Sequence, residues 1–160
     1  GPCAVALRPT WSARRRNCTH RTALMLGAQE KSLLNHLNYA RQQDISNQQT
    51  VTLGLTTNNN SVEECVTANQ NGATRQIAFI DTNSDQKLNG SETTLTASPE
   101  FPAELAISAD AQALRFTPDG TITSDSEVIF SLCVSGEKGV QIEVMPAGRA
   151  HSQASGAVCP

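Results

Sequence analysis

One change of rhythm constrains this chain more than any other feature. From Ala23 to Ile45 the apolar residues recur at helical spacing: Leu26, Leu33, Leu37 and Ala40 share a face, with Leu34 and Ile45 beside it. Glu30, Lys31, Asn35, Asn38 and Gln42 fall mostly on the other side, and no Pro interrupts the run. After Ser46-Asn47 the period drops to two, with Val51, Leu53 and Leu55 alternating with Thr52, Gly54 and Thr56. That alternation is the mark of a half-buried strand. A helix over about 25–46 must therefore hand over to β-structure from about residue 50.

The remaining apolar runs are short and bounded by turn formers. Strands are expected at Gln76–Ile80, Thr93–Ala97, Leu105–Ser108, Ala113–Phe116, Thr121–Thr123, Glu127–Val134 and Val140–Met145. Pro118-Asp119-Gly120 and Gly136-Glu137-Lys138-Gly139 supply turns, and the segment 56–74 has no apolar rhythm and reads as a long loop. One long helix followed by many short strands predicts an α+β domain, an N-terminal helix packed on antiparallel β-sheet. At 160 residues there is no repeat and no sign of a second domain.

Charge and cysteine content narrow the function. Residues 1–24 hold five Arg (Arg8, Arg14, Arg15, Arg16, Arg21) and no acid, which leaves seven basic residues against fifteen acidic ones from residue 25 onward. So acidic a body repels phosphate unless a local patch overrides its field. Gly1-Pro2 matches the remnant of protease tag removal, and residues 1–24 are read as a tag-derived or disordered arm, or else as a basic arm for an acidic partner. Five cysteines (Cys3, Cys18, Cys65, Cys133, Cys159) without a CxxC pair, and three His, do not make a zinc site. No phosphate-cradling glycine loop and no HExxH occurs, and nothing in the chain points to an enzyme.

One segment has the spacing of a metal loop. Asp81, Asn83, Asp85 and Glu92 fall at positions 1, 3, 5 and 12 of the calcium-loop template, with Leu88 at position 8. Alternating carboxyl and amide oxygens can wrap a hard cation. Position 6, where the template uses Gly for a sharp turn, is Gln86. The competing expectation is a solvated hairpin tip and no cofactor.

Several segments, in order, carry a resemblance. Leu33, Leu37, Ala40-Arg41, Ile45 and Val51-Thr52-Leu53 come first. Phe79, Asp81, Asn83, Asp85 and Glu92 follow, and then Phe116, Pro118, Gly120, Phe130, Leu132 and Cys133. Gly148-Arg149 and the terminal Cys159 close the series. Together they resemble the GspH/FimT group of minor pilins and pseudopilins over residues 25–160. The resemblance implies a type IV pilin-like head and a subunit that assembles with other minor pilins, the major pilin or pseudopilins. It implies a place in the bacterial inner membrane with a periplasmic head, then in the pilus filament and its extracellular tip. The membrane link would be an apolar helix missing here. The stripe of Leu26, Leu33, Leu37 and Ala40 is read most simply as the packing face of the helix, buried on the sheet.

A disulfide between Cys133 and Cys159, suited to an oxidising periplasm, accords with the same resemblance; two buried thiols are the alternative. Family members implicated in DNA uptake carry Gly-Arg-x-Arg near the tail, and here His151 takes the second Arg position. Arg149, His151 and Lys138 are thus the candidate patch for double-stranded DNA in natural transformation. Type II secretion is the other system such a subunit serves. The family often places a Cys where this chain has Gly54, which leaves Cys65 without that partner.

Overall fold

The computed structural model describes the backbone of residues 11–59 and 62–160, and the side chains of residues 21–58 and 62–160. Among the described residues one α-helix, α1 (Trp11–Asn47), is followed by ten strands, with a short 3-10 turn at Asn69–Asn71. They are β1 (Val51–Asn59), β2 (Val62–Val66), β3 (Arg75–Ile80), β4 (Lys87–Leu88), β5 (Thr94–Ala97), β6 (Leu105–Ala109), β7 (Leu114–Phe116), β8 (Val128–Val134), β9 (Lys138–Val144) and β10 (Ala150–Val158). The fold is α+β, as expected.

The described helix reaches back to Trp11, well before the start expected near residue 25, so residues 11–24 are helical. No Gly or Pro interrupts residues 11–26, and Ala, Arg, Leu and Met are good helix formers. Once a helix exists, each added residue costs little, so it propagates without an apolar stripe. Its 37 residues span roughly 55 Å at 1.5 Å per residue. Gly1-Pro2 and Arg8 lie outside the described residues, as do the side chains of Arg14, Arg15, Arg16, Cys18 and His20. Among the described residues no helix is long and apolar enough to cross a membrane.

Leu26, Leu33, Leu37 and Ala40 are buried at 5% exposure or less, and the stripe continues to Asp44. Ile45, expected beside that stripe, is instead 44% exposed. Residue 45 falls on the wrong side of a 3.6-residue turn once Asp44 faces inward.

The strands form two antiparallel sheets. The first runs β4-β2-β1-β3-β5, and β7 shares an edge of β1 with β2, end to end. The second runs β10-β9-β8-β6. Helix α1 lies along the seam and touches β1, β3 and β7 of one sheet and β8, β9 and β10 of the other. Strict alternation on β8 sends Val128, Phe130, Leu132 and Val134 into the shared core. Burying each such side chain is worth about 1.5–3 kcal/mol.

The segment 56–74 is not a loop. β1 continues to Asn59 and pairs with β2 from Leu55↔Val66 to Asn59↔Val62. Beyond β2 the chain crosses to the second sheet, where Asn69 Nδ2 donates to Leu105 O (2.6 Å) and Asn69 Oδ1 accepts from Ile107 N (3.2 Å). An Asn amide carries the same donor–acceptor pair as a peptide, so it closes the edge of β6 as a strand would. The expected strand Thr121–Thr123 is reduced to one bridge, Phe116↔Ile122, because the tight 117–121 turn folds it back.

The tail is a strand as well. β10 pairs with β9 and carries an irregularity between Ala154 and Val158, where Gly156 has φ 80°. A disulfide joins Cys133 on β8 to Cys159, and Cys159 N donates to Glu137 O (2.7 Å).

Candidate functional site

Three separated segments meet at the C-terminal end of α1. Arg41 Nε donates to Gly120 O (2.9 Å) and Nη2 donates to Ala147 O (3.2 Å). Ile122 N donates to Pro146 O (3.0 Å), which binds the two turns to each other. Gly148 sits at φ 91°, and a Cβ there would lie 1.9 Å from Gly120 O and 2.9 Å from Arg41 Nε. The Arg of the helix end, the Gly of the Pro-x-Gly turn and the Gly of the Gly-Arg turn are thus parts of one joint. Sequence reading had given no role to Arg41.

Asp44, one turn beyond Ala40, belongs to the same joint and had also gone unmarked. Burial pushes its carboxyl up to about 6, the Asp119 charge adds to this, and the Gly120 N–H pulls the other way. Its signal was in the sequence, an acid continuing a Leu/Ala stripe. Asp119 itself is held at about 2 by the hydroxyls of Thr117 and Thr121 and the Thr121 N–H.

The proposed cationic patch divides. Arg149 is exposed in the turn before β10. His151 is exposed too, but it faces Glu143 across the ladder at 3.1 Å, and Gln153 donates to the other oxygen of that carboxylate (2.6 Å). Lys138 pairs with Val158 at the far end of the β9–β10 ladder, whereas Ala150 pairs with Val144. The six-residue separation along β9 puts Lys138 roughly 20 Å from the Arg149 turn. The trio is not one patch, because the hairpin sends its two ends in opposite directions.

The acidic loop does converge. Ligand atoms of Asp81, Asp85 and Glu92 lie within 4.8 Å of one another. Gln86 adopts φ 62°, the left-handed conformation for which the calcium template uses Gly. Protein donors already serve these oxygens. Asp81 accepts from Asp85 N (3.2 Å) and Gln86 N (3.0 Å), and Glu92 from Thr82 N (3.1 Å) and Asn89 N (3.2 Å). Desolvation raises the pKa of Asp85, but Lys87 N–H and the Asn89 and Asn83 amides outweigh it and lower the value. Asn83 therefore turns inward to Asp85 (3.1 Å). With its oxygens engaged by these donors, the loop is expected to gain little from an ion, and millimolar calcium should shift the melting temperature by less than about 1 °C. A rise of several degrees would show that the carboxylates exchange their N–H donors for a cation.

Cys65 is buried and free, and burial, then Asp81, Asp85 and Glu63, push its thiol up to about 12. Its Sγ occupies the space beside Gly54, where an added Cβ would lie 2.4 Å away. Both features make this thiol inert.

A helix laid along the seam of a two-sheet head, its last strand stapled by a disulfide, defines a type IV pilin-like subunit. The model of the family described as Type II transport protein GspH matches residues 31–148, and the chain belongs to that family. Two crystal structures of the type IV minor pilin FimU from Pseudomonas aeruginosa PAO1 share the fold. One, in space group P21, has a TM-score of 0.58 at 18% identity and covers 88% of this chain and 98% of that chain. The other, in space group P65, has a TM-score of 0.56 at 17% identity and covers 84% and 100%. No curated protein sequence matches the chain. The fold and family are those of structural subunits, minor pilins or pseudopilins of type IV pili or type II secretion, which assemble with others of their kind.

Proposed function

We propose that this protein is a minor pilin of a type IV pilus, which works from the inner membrane with its head in the periplasm and joins the filament near its tip. The observation that carries the reading is α1, a rod seated on both sheets at once, with Leu24 (60% exposed) and Tyr39 (39% exposed) left uncovered for neighbouring helices. The near-complete coverage of a minor-pilin chain favours the pilus over a secretion pseudopilus. Deleting the gene in its source organism should abolish surface pili, and the protein should appear in sheared filaments on immunoblotting. Intact pili with failed type II export would instead assign it to the secretion system.

DNA capture is the second reading, and exposed Arg149 is the observation that favours it. The acidic body opposes it, as does the answering of His151 by Glu143. In a mobility-shift assay at low salt, Arg149→Ala is expected to leave duplex affinity within about twofold of wild type. A true contact would show as weaker binding and a salt slope reduced by about 1.

A further inference from the structure

Asp44 is 0% exposed, and neither of its carboxylate oxygens has a hydrogen-bond partner. The Gly120 N–H beside it is committed to Thr117 O at 2.7 Å. Three things oppose a negative charge at this point. The site is dry. Asp119, in the 117–120 turn, is held ionised by its own hydrogen bonds. The last turn of α1 presents the negative end of the helix dipole and contains no basic residue to offset it. The nearest cation on the helix, Arg41, directs its Nε and Nη2 to Gly120 O and Ala147 O. From the second turn Arg149 faces solvent. His36, two turns back, is engaged with Gln76 (2.8 Å) on β3 and Thr96 (3.4 Å) on β5.

A buried carboxyl whose one nearby donor is engaged elsewhere is at rest only when it carries its own proton. We propose that Asp44 is a proton-operated latch: neutral, it lets the end of α1 seat on the 117–120 and 145–149 turns, and ionised, it loosens that joint. The affected elements are those that fix the angle between rod and head. The latch belongs to the chain itself and stands apart from the question of which filament the subunit joins. The sign follows from proton binding. The folded value of about 6 lies above the ordinary 3.8. The native state therefore holds the proton where the unfolded chain has lost it, and stability falls as pH rises between these values.

An NMR titration of the wild-type protein tests this by following the Asp44 side-chain carbon together with the amides of Gly120 and Gly148. Asp44 should titrate about two units above an ordinary Asp, and both amides should move with the same midpoint. Their exchange protection, corrected for intrinsic base catalysis, should be lower at neutral pH by roughly tenfold. Asp44→Asn should abolish this coupled response. It should also melt about 5 °C higher than wild type at neutral pH and no higher near pH 4. Titration of Asp44 in the usual carboxylate range would overturn the proposal, as would joint amides that ignore its titration. The wild-type measurement decides the matter even if the Asn variant does not fold.

Discussion

Replacing Gly148 with Ala is expected to destabilise the head by about 3–5 kcal/mol, a shift of roughly 10 °C in melting temperature for a domain of this size. Two costs combine. The residue has φ 91°, a conformation that disfavours any Cβ by about 1–3 kcal/mol. The new methyl would also meet Gly120 O at 1.9 Å, a backbone atom that cannot rotate away, with Arg41 Nε at 2.9 Å behind it. Denaturant unfolding of Gly148→Ala beside Arg149→Ala gives a clean contrast. The Arg149 variant, altered at an exposed side chain, should stay within about 0.5 kcal/mol of wild type. A loss below about 1 kcal/mol for Gly148→Ala would mean that the two turns are not packed as described. A large loss for Gly148→Ala beside a small one for Arg149→Ala makes the Gly-Arg pair two residues with two purposes, the first architectural and only the second available to a ligand.

Removing the Cys133–Cys159 bond should cost about 3–4 kcal/mol on the loop-entropy model for a separation of 26 residues. The double Ser variant and the reduced wild type should lose the same amount. Limited proteolysis should then cut first within β10, where most residues from Gln153 to Val158 are exposed and contribute little burial of their own. If β10 stays protected in the double variant, the backbone bonds Cys159 N→Glu137 O (2.7 Å) and Gly136 N→Cys159 O (3.2 Å) hold the tail unaided.

These effects reflect how unevenly the fold is written in the sequence. The Leu26/Leu33/Leu37/Ala40 stripe was legible because a buried face must repeat at helical spacing. The part of α1 before residue 25 was not, since helix propagation imposes no such pattern. β8 announced itself by alternation, whereas β2 and β10 did not. Cys65 is the one buried residue on β2, and β10 has none, so pairing alone defines them. The Phe-x-Pro-x-Gly and Gly-Arg segments could be seen as resemblances, but nothing local reveals that Arg41 unites them, because that contact spans 79 residues. The cationic trio misled for a related reason. Residues 138, 149 and 151 are near in sequence, but a seven-residue strand parts the first from the others.

The placement of Cys65 bears on how the head matures in an oxidising compartment. Once β1, β2 and β3 have paired and Leu88 and Ala113 pack over them, the thiol is walled in beside Gly54, and its deprotonated form is suppressed. Thiol exchange requires a reachable thiolate. Of Cys65, Cys133 and Cys159, only the latter two then remain open to an oxidant. A first sheet that closes before the second thus leaves a single productive crosslink among these three sulfurs and guards it against scrambling.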